Sequence, residues 1–141
     1  TGVQTCALPI ISYLRWAGIF GTIAIIILAM SSHLLPKYFA LEQIASINTA
    51  AYIQLIHAVV LLALGFHTYP TKYLRIIAKL MSIGVCCFSF SIYLLVFNTI
   101  SDISFVHFLW PITPIGGILL ILSWAMIIIN AKNLSFKADK K

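Results

Sequence analysis

Five polar side chains fall inside long apolar runs of this sequence: Gln54, His57, Ser89, Tyr93 and Trp124. A polar group surrounded by hydrocarbon needs a partner, so each asks for a physical reason. Gln54 and His57 are three residues apart and share a face if their segment is helical. Ser82, Cys86, Ser89 and Tyr93 are spaced four, three and four, which predicts a second shared face that can meet the first. Depth follows from a rise of about 1.5 Å per helical residue. His57 and Trp124 then fall near the middle of their runs, with Ser89 and Ser91 at a similar level. Gln54 and Tyr93 fall about one turn toward the outer side. Membrane tryptophans usually sit at the interface, so one at the midplane needs an acceptor for its indole N–H. We therefore expect a buried polar layer of Gln54, His57, Ser89, Tyr93 and Trp124.

Two kinds of chemistry fit such a layer. With His57 as the titrating group it could pass protons or a small solute. Alternatively, its hydrogen bonds hold helices together, at about 0.5–2 kcal/mol each. We favour packing, because no intramembrane Asp, Glu, Lys or Arg accompanies the histidine.

His33 is a secondary candidate. A bis-histidine haem would need a second ligand at its level, but His33 lies near the outer end of its run, roughly 10 Å from the depth of His57. His67 and His107 fall at interfaces or in loops and read as solvated side chains. Cys86 and Cys87 are adjacent, so on a helix they point about 100° apart and do not pair with each other. No Cys-x-x-Cys or Cys/His spacing suggests a metal. Glu42 and Asp102 stand singly in outer loops, and no nucleophile–base pair is evident. The expectation is a non-enzyme with no cofactor and no metal.

The elements that must position these residues are transmembrane helices. The chain of 141 residues is 62% hydrophobic and only 9% charged, against about a quarter charged in a soluble domain. Its mean hydropathy is +1.06. A spanning helix takes about 20 apolar residues, and four such runs fit, at about 16–35, 48–66, 80–100 and 114–130. Thr113 is the expected N-cap of the last, with Pro114 at its first turn. The fold class predicted is all-α, an integral-membrane bundle of four helices, with a basic tail at 132–141. Small residues mark expected close approaches: Gly18, Thr22, Ala29 and Ser32 in the first span, Ala50, Ala58 and Gly65 in the second, Gly84 in the third, Gly116 and Gly117 in the fourth.

Charge sets the direction. Arg15, Lys72, Arg75, Lys79, Lys132, Lys137, Lys140 and Lys141 fall on one side, and only Lys37 on the other. The positive-inside rule then places both termini in the cytoplasm. The net charge of +6 does not suggest nucleic acid, because the basic residues cap apolar runs and form no soluble basic face. Arg75 and Lys79 are four apart and can snorkel together. Lys72, Arg75 and Lys79 are read first as topology charges and second as a contact for anionic lipid. Tyr13, Trp16, Tyr69 and Tyr73 mark the cytoplasmic interface; Tyr38, Phe105, Phe108 and Trp110 mark the outer one.

The opening segment TGVQTCALPI, residues 1–10, stands apart. It resembles the translation of a common sequencing-library adapter. We expect it to be an artefact, with the native N-terminus missing, and exclude it and Cys6 from fold reasoning.

The motifs AMSSHLL (29–35), YIQLIHAVVLL (52–62), GVCCFSFSIYLL (84–95) and TPIGGILLILSW (113–124) occur in an order that resembles the domain-of-unknown-function 423 family of small bacterial membrane proteins. The resemblance covers nearly all of residues 14–129. Its most specific elements are TPIGG followed by Trp, the Gln-x-x-His-Ala run at Gln54, His57 and Ala58, and the Phe-Ser-x-Ser-x-Tyr run at Phe88, Ser89, Ser91 and Tyr93. The first motif departs from the pattern: where the family resembles G-A-F-G-A-H-G-L, this chain keeps Ala29, His33 and Leu35 and loses the glycines. The resemblance implies four spans in the bacterial inner membrane, and brings no activity, cofactor or substrate. The expected function is a structural or accessory membrane component, with the bilayer and further copies or other proteins as candidate partners. The alternative is a small-solute or proton conduit centred on His57.

Overall fold

The computed structural model describes residues 2–66, 71–101, 103 and 109–134, with side chains described for 12–66, 71–101, 103 and 109–132. His67, Tyr69, Asp102, Phe105, His107, Phe108, Lys137, Lys140 and Lys141 lie outside the described residues. Among the described residues six α-helices follow one another: α1 (Gly2–His33), α2 (Leu41–Gly65), α3 (Lys72–Val85), α4 (Ser91–Ser101), α5 (Ile112–Ile129) and the short α6 (Ala131–Leu134). A five-residue π-helical turn, Cys86–Phe90, joins α3 to α4 in one continuous rod. Four stretches are long and apolar enough to cross a membrane: Ser12–His33, Leu41–Gly65, Lys72–Ser101 and Ile112–Ile129. The protein is thus all-helical with four membrane-length helices, and no strand occurs among the described residues.

Several boundaries differ from those expected, each for a local reason. α1 ends at His33, and Pro36 sits in a 3₁₀ turn, Leu35–Lys37. α2 begins at Leu41, seven residues before Asn48. The Gln43 side chain closes that end by accepting from the Ala40 N–H at 2.9 Å, and Glu42 adds a favourable charge in the first turn rather than standing in a loop. α3 begins at Lys72, eight residues before Leu80, because Thr71 caps it: the Leu74 N–H donates to Thr71 Oγ1 at 3.2 Å. Lys72, Arg75 and Lys79 therefore lie on the helix itself, exposed, opposite the buried Leu74, Ile77, Ala78 and Met81. Thr113 does not cap α5. The helix starts after Pro111, which places Pro114 third, where a missing N–H costs nothing. The Thr113 hydroxyl instead meets Ser91 Oγ at 2.7 Å.

Two apolar clusters fill the bundle. One gathers Tyr13, Phe20, Leu61, Leu74, Met81 and Leu120 with their neighbours. The other gathers Leu35, Phe39, Ile47, Ala50, Tyr93 and Val96. Along α2, Gln54 falls between Ala50 of one cluster and Ala58 of the other.

The small residues divide. A Cβ on Gly84 would stand 2.8 Å from the Leu120 side chain, and one on Gly65 equally close to Leu14. A Cβ on Gly116 would enter the backbone of the π turn, 2.8 Å from Cys87 C and from Phe88 Cα. Those three are close approaches. Gly117 makes only ordinary contact, and Gly18 has nothing within 4 Å. Gly18, Thr22, Ala29 and Ser32 are all exposed, which corrects the expectation for α1. Its packed face is Tyr13, Ala17, Phe20, Ala24 and Ser31, whose aromatic members bury more apolar area than a stripe of small residues would.

Candidate functional site

Helix α2 is the hub of the polar residues. Ala50, Gln54 and His57 are spaced four and three, so they look out from one side of it. Three other segments reach that side. α4 and the π turn supply Tyr93 and Ser89, α5 supplies Trp124, and α1 supplies a main-chain carbonyl.

Gln54 is wholly buried. Its Nε2 donates to the Phe20 carbonyl of α1 at 2.8 Å, and its Oε1 accepts from the Tyr93 hydroxyl of α4 at 3.1 Å. One side chain thus ties three helices. A carbonyl can only accept, which fixes the orientation of the amide. Ser89, also wholly buried, donates to the Ala50 carbonyl at 2.9 Å.

His57 is 5% exposed. The Trp124 indole N–H lies 3.1 Å from its Nε2, and the ring centroids are 6.2 Å apart in an edge-on arrangement. Indole only donates, so Nε2 must be the acceptor and the ring proton must be on Nδ1. That proton is directed at the Ile53 carbonyl, 2.7 Å away. The geometry therefore selects one neutral tautomer. Trp124 is 43% exposed even though its indole N–H is turned inward to His57.

Ser89, Tyr93 and Trp124 thus turn toward α2, and the five expected residues form three separate groups: Gln54 with Tyr93, His57 with Trp124, and Ser89 on the α2 backbone. The face expected for Ser82, Cys86, Ser89 and Tyr93 does not hold. The π turn adds a residue to the winding, which rotates the two halves of the rod against each other. Ser89 and Tyr93 meet α2, whereas Ser82 bonds its own helix at the Ala78 carbonyl and, with Cys86, lines a cleft toward α1. His33 occupies the exposed last turn of α1 and joins none of the three groups.

Other partners were not anticipated. Thr113 donates to Ser91, which in turn donates to the Phe88 carbonyl at 3.0 Å, since each hydroxyl has one proton. Gln43 Nε2 donates to Thr99 Oγ1 at 3.0 Å, joining α2 to α4. Asn98 accepts from the Ile103 N–H at 2.7 Å. Asn48 Oδ1 is buried and makes no hydrogen bond. Ser91 was legible from its depth in the third run. The role of the Phe20 carbonyl had no signal, because every residue carries one.

A family model described as "Protein of unknown function (DUF423)" matches residues 27–117. The chain belongs to the DUF423 family. The match runs from the last turns of α1 through α2, α3, the π turn and α4 to the start of α5, and so contains Gln54, His57, Ser89 and Tyr93; Trp124 lies just beyond it. A UPF0382 membrane protein of Haemophilus influenzae is 28% identical over 113 residues, 79% of this chain and 86% of its own length. A UPF0382 membrane protein of Staphylococcus saprophyticus is 30% identical over 103 residues, 72% of this chain and 81% of its own. No solved structure matches.

Proposed function

We propose that this DUF423 protein is a structural or accessory component of the bacterial inner membrane, with both termini cytoplasmic and no catalytic activity of its own. The observation that carries this reading is that the polar layer is closed on itself. Indole, imidazole, amide, phenol and hydroxyl in that layer all take partners inside the bundle. A conduit needs groups that exchange partners along a path, and here His57 uses both ring nitrogens on the protein. Such closed contacts fix the helices against one another and present a rigid apolar exterior to lipid or to a partner. The cytoplasmic placement of the termini rests on the eight basic residues of one side against Lys37 of the other.

The test is flux. The chain is reconstituted in liposomes and proton and small-solute leak is measured beside a His57→Leu variant. Both should match empty liposomes, with the variant less stable. Flux in the parent protein that vanishes in His57→Leu would overturn the proposal and make the layer a conduit.

A further inference from the structure

We infer that the cleft between α1 and the third span is a binding site for one anionic phospholipid. The cleft has a volume of about 540 Å³ and is walled by Ser12, Tyr13 and Trp16 from α1 and by Arg75, Lys79 and Ser82 from α3. Ile83 and Cys86 continue its wall along the rod.

Its composition is ordered along the membrane normal. Arg75 and Lys79 stand one turn apart near the start of α3, both exposed. Among the described residues no ion pair neutralises either of them. Tyr13 and Trp16, the amphipathic rings that settle at headgroup level, flank them. Below them the wall passes through the Ser82 side chain, whose hydroxyl is already committed to Ala78, to apolar Ile83 and Cys86. From Arg75 to Cys86 the cleft descends roughly 16 Å at helical rise, close to the half-thickness of the hydrocarbon core, about 15 Å. Two fixed cations at headgroup level above an apolar slot one leaflet deep match a phosphate group carrying an acyl chain. Arg75 can bind phosphate through two N–H groups and Lys79 as a point charge. Lys72, on the same helix, does not line the cleft.

The cleft also has a structural origin. α1 and α3 pack through residues on their shared buried side, such as Tyr13 and Ala78, while Ser89 and Tyr93 beyond Cys86 bond to α2 instead. Nothing in the described bundle fills the wedge that remains.

The test uses the reconstituted protein in phosphatidylcholine bilayers and spin-labelled lipids. The immobilised fraction is measured for labelled phosphatidylglycerol and for labelled phosphatidylcholine. A site predicts a preference for phosphatidylglycerol of roughly tenfold, within what two cations at the surface supply. Arg75→Gln with Lys79→Gln should bring the ratio close to one. Ile83→Trp, which fills the slot and leaves the charges, should remove the preference as well. Lys72→Gln should leave it intact. Equal immobilisation of the two lipids, or a preference lost as readily with Lys72→Gln as with the cleft variants, would overturn the site and leave only diffuse surface attraction. Arg75, Lys79 and Ile83 are exposed, so these variants should fold, and circular dichroism checks it. The outcome is independent of the flux result, because lipid preference requires neither a conducting nor a closed polar layer.

Discussion

The Gln54–Tyr93 contact gives the most searching test of how this bundle is held. Gln54→Leu keeps most of the side-chain volume in a fully buried position, so little cavity forms. It removes two hydrogen bonds, to the Phe20 carbonyl and from Tyr93. The Phe20 carbonyl keeps its place within α1, but the hydroxyl of Tyr93, a residue only 6% exposed, loses its acceptor. With membrane hydrogen bonds at about 0.5–2 kcal/mol, and an orphaned buried polar group at about 1–3, the variant should lose roughly 1–3 kcal/mol. Tyr93→Phe removes one bond and strands Gln54 Oε1, with a smaller loss. The double variant strands neither group across the α2–α4 contact, so it should lose less than the sum of the singles. The difference should be about 0.6 kcal/mol, the average of such cycles in a membrane protein, and at most about 1.7. Reversible unfolding in mixed micelles, followed by circular dichroism, reads all four proteins. If the singles and the double add to within about 0.3 kcal/mol, the two side chains do not interact and the three-helix tie through Gln54 is refuted.

Other expectations follow from single contacts. Gly116→Ala must push a methyl into the backbone of Cys87 and Phe88, which cannot yield as a side chain can. It should destabilise by about 1–3 kcal/mol or more, whereas Gly18→Ala, with open space around it, should be neutral or slightly stabilising; thermal unfolding in detergent compares them, and equal effects would contradict the packing at the π turn. Nitrogen-15 NMR of labelled histidine should show His57 Nδ1 carrying the proton and Nε2 bare, as the bonds to Ile53 and Trp124 require. Trp124→Phe should shift the Nε2 resonance alone; a proton on Nε2 in the parent protein would break that assignment. Ser89→Ala leaves the Ala50 carbonyl its place in α2 and should cost only about 0.5–1.5 kcal/mol, again read by unfolding.

Much of this protein was determined by sequence alone. Four apolar runs of membrane length leave an all-helical bundle as the only economical way to satisfy the backbone in lipid. The need of each polar group for a partner also singled out Gln54, His57, Ser89, Tyr93 and Trp124 before any partner was known. A membrane-depth count placed them near one level because helical rise is uniform. Other features depended on contacts between distant residues. The π turn at Cys86–Phe90 has no mark in its own sequence, and it forms where Gly116 of α5 lies against that backbone. One added residue there rotates everything after it, so Ser82 and Cys86 part from Ser89 and Tyr93, and a single expected face becomes the wall of a cleft against α1 on one side and a helix tie on the other. Likewise the packed side of α1 could not be read from small residues. Gly18 and Thr22 look like an interface by composition, but bulk at Phe20 and Tyr13 fills more of the bundle and turns them outward. Composition and period decide which segments are helices and how deep each residue lies. The rotation of one helix against another is a property of the pair, and only the tertiary structure holds it.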